Sequence, residues 1–211
     1  MSEIKERPIL FSVPMVRSIL EGRKTVTRRA VRADFNPEDL EGTLSASECQ
    51  KLYRELPQHF GASYFCPYGQ PGNRLWVRET FIDLRGTGVE HRPDPNGPLQ
   101  RYAYAADCRP GSHSDEARKD FGLKYKPSIH MPRAACRILL EITDVRVERL
   151  QDITEDQATA EGVCASAVES FKAAGVERPA GFAFRDIWTS INGDEGGPSN
   201  PWVWVVEFKR V

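Results

Sequence analysis

The sequence lacks a long apolar run, an internal repeat and any regular cysteine pattern. No stretch approaches the roughly 18 apolar residues of a membrane-spanning helix, and the opening segment MSEIKERPIL lacks the apolar core of a signal peptide. The five cysteines are scattered and include no Cys-x-x-Cys pair, so the sequence indicates neither a zinc site nor a disulfide framework. We therefore expect reduced thiols, a cytoplasmic protein with no membrane partner, and no metal or other cofactor.

An excess of charge of one sign is also missing. The 29 Lys and Arg residues nearly balance the 30 Asp and Glu residues, and the formal net charge at pH 7 is -1. This balance argues against steering of the whole molecule toward nucleic acid. A basic cluster nevertheless lies between Met15 and Ala33, where six cations accompany one acid, Glu21. The members of the basic cluster are Arg17, Arg23, Lys24, Arg28, Arg29 and Arg32.

Alternating apolar and β-branched residues predict several short strands. In the stretch that begins at Cys136, the alternation of Ile138, Leu140 and Ile142 changes phase at Thr143–Asp144. Such a shift indicates a β-bulge in a long, bent strand, as barrels use at their corners. The other strands are predicted at residues 8–11, 25–31, 73–81, 101–106 and 201–208.

Fewer segments have a helical pattern. One helix is predicted to begin near Pro14, which suits a first helical turn, and to end at Gly22, where a helix is normally stopped by a left-handed residue. Thr154 and Gln157 form the pattern of a capping box, which starts a short helix that ends at Gly162. Further helices are predicted at about 45–55 and 183–192. Short strands with peripheral helices predict a small β-barrel in an α+β fold, in which the loop-rich residues 85–132 cover one face.

A motif after the first helix belongs to a wider family pattern. Gly22, Lys24, Thr27 and Arg29 form a Gly-x-Lys-x-x-Thr-x-Arg run, and GNRLWV (Asn73 in place of an aspartate), ITEDQATAEG and WVWVVEF follow in order. Together these stretches resemble the ASCH domain family, whose fold is a PUA-like barrel. The resemblance covers roughly residues 8–32, 72–80, 136–162 and 184–209. It implies a single ASCH domain over residues 1–211, with insertions at about 33–71 and 81–135.

The run ILEGRKTVTRR is also similar to ILAGRKTITIR of the small bacterial N4-acetylcytidine amidohydrolases in that family. By motif position, this similarity implies that Lys24, Thr27 and Glu161 are catalytic, with Glu155 as the alternative carboxylate. It implies a hydrolase that removes acyl groups from N4 of cytidine-type nucleosides or bases without a metal. The partner would be a small molecule, an N4-acylated cytidine or cytosine, in a pocket walled by the two insertions.

The chemistry of these residues sets conditions on their arrangement. A threonine hydroxyl needs an adjacent base, and a lysine serves as one only if burial or neighbouring arginines lower its pKa. In a flat strand Lys24 and Thr27 would point to opposite faces, so they converge only if residues 22–25 form a turn. Glu161 shares a helical stripe with Ile153, which predicts an inward carboxylate that pairs with Lys24.

Substrate-binding candidates lie on two predicted strands. Trp76 and Arg78 alternate along one strand and therefore share a face, where Trp76 would stack on a base and Arg78 and Glu79 would pair with its polar edge. Arg29 is a fourth candidate, either to contact the substrate or to organise the site. The alternatives are core packing for Trp76 and a structural ion pair for Arg29.

Each catalytic candidate also has a structural alternative. Lys24 would then be a solvated lysine at a strand start, Thr27 a strand former, and Glu161 a surface acid at a helix end. The basic cluster also fits a non-catalytic RNA-binding module, because PUA-like domains are mostly RNA binders. A ribonuclease is a third hypothesis, since lysine and glutamate also serve phosphoryl transfer.

Overall fold

The computed structural model describes residues 4–31, 66–89 and 96–211 and confirms the α+β class. The strands are β1 (Glu6–Leu10), β2 (Val26–Ala30), β3 (Arg74–Arg78), β4 (Phe81–Asp83), β5 (Tyr102–Tyr104), β6 (Leu139–Arg149) and β7 (Trp202–Arg210). The helices are α1 (Val13–Leu20), α2 (His113–Asp120), α3 (Glu155–Ala160), α4 (Ala165–Ala173) and α5 (Pro179–Asn192). The helix predicted at about 45–55 lies outside the described residues.

Five strands form a mixed sheet in the order β1-β3-β6-β7-β2. β1 and β3 are parallel, and the other neighbours are antiparallel. The register of β6 against β7 shifts between Ile142 and Asp144, which confirms the predicted bulge. Among the described residues no backbone pairing joins the edge strands β1 and β2, so a closed barrel is not found. A side chain links these two edges, because Arg29 Nη2 on β2 donates to the Leu10 carbonyl oxygen on β1 at 2.6 Å.

The sheet carries an apolar core on each face. Trp204, Val206 and Phe208 of β7 belong to the core shared with β1, β3 and α1, whereas Val203 and Val205 belong to the core shared with α3 and α5. This burial on both faces explains why β7 is a continuous apolar run. β2 lies beside β7, and its first three residues are buried whichever face they point to.

The helices next to the motif begin and end where the sequence predicts. α1 has Pro14 in its first turn, and Gly22 follows it with φ of 75°. α3 starts with the complete capping box, in which Thr154 and Gln157 accept hydrogen bonds from each other's backbone N–H. α5 begins at Pro179, a few residues before its predicted start. The sequence pattern does not predict α2 or α4.

Residues 85–132 are more regular than their composition indicates. They contain β5, which pairs with β4, and α2, which is stabilised locally by ion pairs from Asp115 to Arg118 at 2.7 Å and Lys119 at 2.8 Å. Arg17 of α1 holds this excursion against the core by donating to the carbonyl oxygens of Ala105, Ala106 and Cys108. The excursion is therefore packed on α1, as a cover over one face of the core.

The described cysteines are free thiols: Cys66, Cys108, Cys136 and Cys164. Burial raises the pKa of the Cys66 and Cys136 thiols, so these two groups are held protonated. Within the described ranges no helix is both long enough and apolar enough to cross a membrane.

Candidate active site

The backbone around Lys24 leaves α1 and enters β2 through a short turn. Gly22 reverses the chain with its positive φ, and the Lys24 N–H donates back to the Ser18 carbonyl oxygen at 3.0 Å. Lys24 also forms an isolated antiparallel bridge with Glu161, and β2 begins only at Val26. The turn that the spacing of Lys24 and Thr27 requires is therefore present.

The Lys24 side chain is buried, with 2% of its residue surface exposed. Its ammonium donates to the Val26 carbonyl oxygen at 2.8 Å, the Glu161 carbonyl oxygen at 2.9 Å and Glu161 Oε2 at 2.6 Å. These three acceptors use all three N–H groups of a charged lysine. The predicted pairing of Lys24 with an inward Glu161 is confirmed, and a solvated lysine at a strand start is excluded.

Burial is the largest influence on the ionisation of Lys24 and lowers its pKa. The Glu161 carboxylate opposes this shift, whereas Arg29 and Arg28 add to it. The net lowering of the pKa is the condition that a lysine base requires. Glu161 is a close proton partner for the same amine.

Arg28 supplies a second cation to the Glu161 carboxylate. Its guanidinium is fully buried and donates to Glu161 Oε1 at 3.3 Å, Gln157 Oε1 at 3.0 Å and Glu148 Oε2 at 3.1 Å. Each Glu161 oxygen thus faces a different cation, Lys24 or Arg28. Sequence reasoning treats Arg28 only as one charge among several. A strand that is packed on both faces buries its arginine, and a buried arginine needs carboxylate and amide partners. Sequence reasoning missed this consequence of the position of Arg28 in β2.

A close approach at Gly162 brings α1, the Lys24 turn and the end of α3 together. Gly162 has φ of 82°, and a Cβ at this position would lie 2.8 Å from the Cβ atoms of both Lys24 and Ser18. Ser18 Oγ donates to the Gly162 carbonyl oxygen at 3.0 Å. Glycine is therefore required here both for its backbone conformation and for space.

A small cavity of about 50 Å³ adjoins the ion-paired residues. Thr27, Arg28, Arg29 and Glu161 line one side, and Met15 together with α5 lines the other. We call it the inner cavity. No lining residue comes from the described parts of the predicted walls, 66–71, 81–89 and 96–135, and residues 33–65 and 90–95 of these walls lie outside the described residues. α5 contributes several of the lining residues.

The lining of the inner cavity includes polar groups without partners. Within the described part of the chain, Nε of Arg28 and Nε of Arg29 are buried and make no hydrogen bond. Thr27, a residue only 2% exposed, lines the same cavity. Buried donors without partners are uncommon in proteins and mark places where a ligand group would be stabilised. Burial lowers the pKa of the Arg29 guanidinium.

The other substrate-binding candidates do not line the inner cavity. Arg78 stacks on Trp76, with its guanidinium carbon 5.4 Å from the ring centroid, and donates to the Ile129 carbonyl oxygen. Glu79 lies on the opposite side, 1% exposed, in a two-bond ion pair with Arg137 at 2.9 and 3.0 Å. Burial raises the pKa of Glu79, and Arg137 opposes that shift. Trp76 and Arg78 share a face as predicted, but Glu79 does not join them.

The basic cluster is not a solvated patch in the described part of the chain. Lys24 and Arg28 are buried, Arg17 is bound to the carbonyls of the excursion, and Arg29 donates to Leu10. Arg23 pairs with Glu21 and donates to the carbonyl oxygens of residues 162 and 163. Arg32 lies outside the described residues. The charge that favoured an RNA-binding surface is therefore largely directed inward.

Glu155, the alternative catalytic carboxylate, has a different environment. Its two oxygens accept hydrogen bonds from the backbone N–H groups of Ala180 at 2.9 Å and Gly181 at 2.8 Å. Gly181 allows this approach, because a Cβ there would lie 3.1 Å from Glu155 Oε1. Glu155 thus caps the N-terminus of α5 and joins α3 to it.

We expect Glu155→Ala to lower the free energy of unfolding by about 1–2 kcal/mol, the usual cost of a lost helix cap. Urea unfolding followed by circular dichroism measures this change. Asp156→Ala is the matched control, since Asp156 is an exposed acid in the same first turn and should cost less than about 1 kcal/mol. Equal losses for the two variants would contradict the capping role of Glu155.

Comparison of the chain with protein-family models, with curated proteins and with solved structures finds no match. The assignment of the site therefore rests on its own geometry and on the motif resemblance. Within the described ranges, no group of three or more His, Cys, Asp or Glu side chains is arranged to hold a metal ion.

Proposed function

We propose that this chain is an amidohydrolase that removes a small acyl group from N4 of cytidine-type nucleosides or bases without a metal. The observation that carries the proposal is the buried Lys24–Glu161 pair, because Glu161 lines the same cavity as Thr27. A buried charged pair beside a cavity is costly unless it is used or fully satisfied, and such pairs are frequent at catalytic sites. The motif resemblance to N4-acetylcytidine amidohydrolases gives the substrate class.

The first step of the proposed mechanism frees the amine of Lys24. Lys24 Nζ and Glu161 Oε2 lie 2.6 Å apart, so a proton passes directly from the ammonium to the carboxylate. The resulting pair of an amine and a carboxylic acid is neutral and suits a buried site. Arg28 holds the other oxygen of Glu161 and fixes the carboxyl group during this transfer.

Acyl transfer then follows in two stages. The neutral amine takes the proton of the Thr27 hydroxyl while Oγ1 attacks the acyl carbon, and the collapsing intermediate breaks the bond from this carbon to N4. Lys24 returns the proton to the departing N4 amine, which leaves as cytidine. Water activated by the same amine hydrolyses the Thr27 ester, and the products are cytidine and a carboxylic acid.

The developing negative charge on the acyl oxygen needs hydrogen-bond donors. The partnerless Nε groups of Arg28 and Arg29 belong to residues that line the inner cavity, so they are the donors that we assign to this oxygen. This role gives Arg29 its place in substrate binding. The nucleoside itself lies outside the inner cavity, because a volume of about 50 Å³ holds only a few heavy atoms.

We assign the fold of this enzyme to a PUA-like barrel. The link from Arg29 to Leu10 and the 6.3 Å contact between the rings of Phe11 and Phe208 support this assignment, since they bring the strands of a curved sheet together around one core. The Lys24 turn and the end of α3 lie side by side, joined by the bridge between Lys24 and Glu161.

Incubation of the protein with N4-acetylcytidine tests the activity directly. We expect the absorbance spectrum to change to that of cytidine, with equal rates in EDTA and only a small change between 50 and 200 mM salt. RNA binding through phosphates would lose about 10³–10⁵ in affinity over that range for 6–10 phosphate contacts. Loss of turnover in EDTA with recovery on addition of zinc would overturn the mechanism without metal.

The role of the Thr27 hydroxyl is tested by two substitutions. We expect Thr27→Ser to retain measurable turnover and Thr27→Val, which has nearly the same shape, to fall to background. Thr25→Val is the matched control, because Thr25 is an exposed threonine two residues earlier. If Thr27→Val kept more than about a tenth of the rate, a change under about 1.4 kcal/mol in the barrier, the hydroxyl would not be the nucleophile.

A further inference from the structure

Two cavities are lined by residues of α5 and share two of their lining residues. The inner cavity measures about 50 Å³ and contains the Thr27 and Glu161 side of the site. The second, which we call the outer cavity, measures about 650 Å³ and is lined by Leu150, Ile153 and Phe182 among others. Phe184 and Trp188 line both, so the two cavities adjoin at these two residues.

The two wall residues are held differently. Both are buried, and their ring centroids are 6.1 Å apart. Trp188 Nε1 donates to the Gly196 carbonyl oxygen at 3.1 Å, and a Cβ on Gly196 would lie 3.3 Å from the same indole nitrogen. The indole is thus fixed in place, whereas Phe184 is held by packing alone. The Arg28 guanidinium lies 6.0 Å from the centroid of the Phe184 ring, which puts this ring next to the Glu161 ion pairs.

We propose that Phe184 and Trp188 determine the size of the acyl group that the enzyme accepts. This inference rests on the proposed function. With the wall in place, the inner cavity has room for only a few heavy atoms and selects an acetyl-sized group. Removal of the Phe184 ring joins the inner cavity to the outer one, whose aromatic and aliphatic lining suits an extended acyl chain.

The specificity is measured as the ratio of kcat/KM for N4-hexanoylcytidine to that for N4-acetylcytidine. We expect the ratio to rise at least about tenfold in Phe184→Ala, a factor that corresponds to about 1.4 kcal/mol in differential transition-state binding. Phe182→Ala is the matched control, because Phe182 lines the outer cavity and not the inner one. We expect its ratio to stay within twofold of the wild-type value.

Each outcome separates this inference from the proposed function. Thermal melts show whether the Phe184→Ala protein folds. If it does not, Phe184→Leu, which opens the wall partly, is tested instead, and we expect its ratio of kcat/KM values to rise at least about threefold. A folded variant that cleaves N4-acetylcytidine with an unchanged ratio would overturn the role of Phe184 in acyl specificity and leave the proposed activity intact. An equal rise in Phe182→Ala would also overturn it. A wild-type protein that cleaves neither compound would overturn the proposed function and, with it, this inference.

Discussion

Replacement of Lys24 by methionine is expected to reduce turnover of N4-acetylcytidine to background and to lower the free energy of unfolding by about 3 kcal/mol. The activity is lost because the proposed mechanism assigns proton transfer to the Lys24 amine, which methionine lacks. Stability is lost because Glu161 stays buried with only the 3.3 Å contact to Arg28, while two carbonyl oxygens lose their donor. Single-turnover assays and urea unfolding measure the two effects.

A second substitution separates the catalytic role of Lys24 from its structural role. In Lys24→Met/Glu161→Leu the whole ion pair is replaced by apolar side chains of similar size, a change that is often neutral or stabilising in proteins. The double variant removes the unpaired carboxylate but leaves the two carbonyl oxygens without the Lys24 donor, so we expect it to regain part of the lost stability and none of the activity. If activity returned together with stability, Lys24 would be a structural residue and not the base.

The local parts of the site are predictable from sequence because short-range rules determine them. Gly22 stops α1 and the capping box starts α3, so the turn that carries Lys24 and the helix that ends just before Glu161 follow from local sequence. The pairing of Lys24 with Glu161 is a long-range contact, which the motif resemblance and the expected inward carboxylate indicate. The alternative, a solvated Lys24 at a strand start, is excluded for a long-range reason. The turn that carries Lys24 is covered by the end of α3, which lies more than 130 residues away in sequence.

The remaining parts depend on packing between distant elements. Arg28 is buried because β2 lies between two cores, a fact that its own sequence does not reveal. α5 lines the inner cavity because its Phe184 and Trp188 belong to the core shared with β2 and β7, which the sequence of α5 alone does not reveal. The α2 helix lacks an apolar stripe and depends on ion pairs of Asp115, so hydrophobic periodicity does not predict it.

Glu161→Gln is expected to lower kcat at least about 10²-fold with little change in KM, because the amide does not exchange the proton that the carboxylate takes from Lys24. The structure also predicts a loss of stability, which the similar shapes of glutamate and glutamine do not indicate. Each Glu161 oxygen faces a cation, so one orientation of the glutamine directs its NH₂ at Lys24 and the other at Arg28. We expect a loss of about 1–3 kcal/mol in the free energy of unfolding from this mismatch.

Glu148→Gln is the control that isolates proton transfer from the charge of the network. Glu148 pairs with Arg28 at 3.1 Å as Glu161 does, but it makes no contact with Lys24. Its substitution removes a charge beside Arg28, and also beside Arg146, which pairs with Glu148, while the Lys24–Glu161 pair stays intact. We therefore expect kcat to remain within about threefold of wild type. Equal losses in both variants would show that the site needs only the negative charge around Arg28. Loss in Glu155→Gln with full activity in Glu161→Gln would move the catalytic carboxylate to Glu155, against its two hydrogen bonds to the N-terminus of α5.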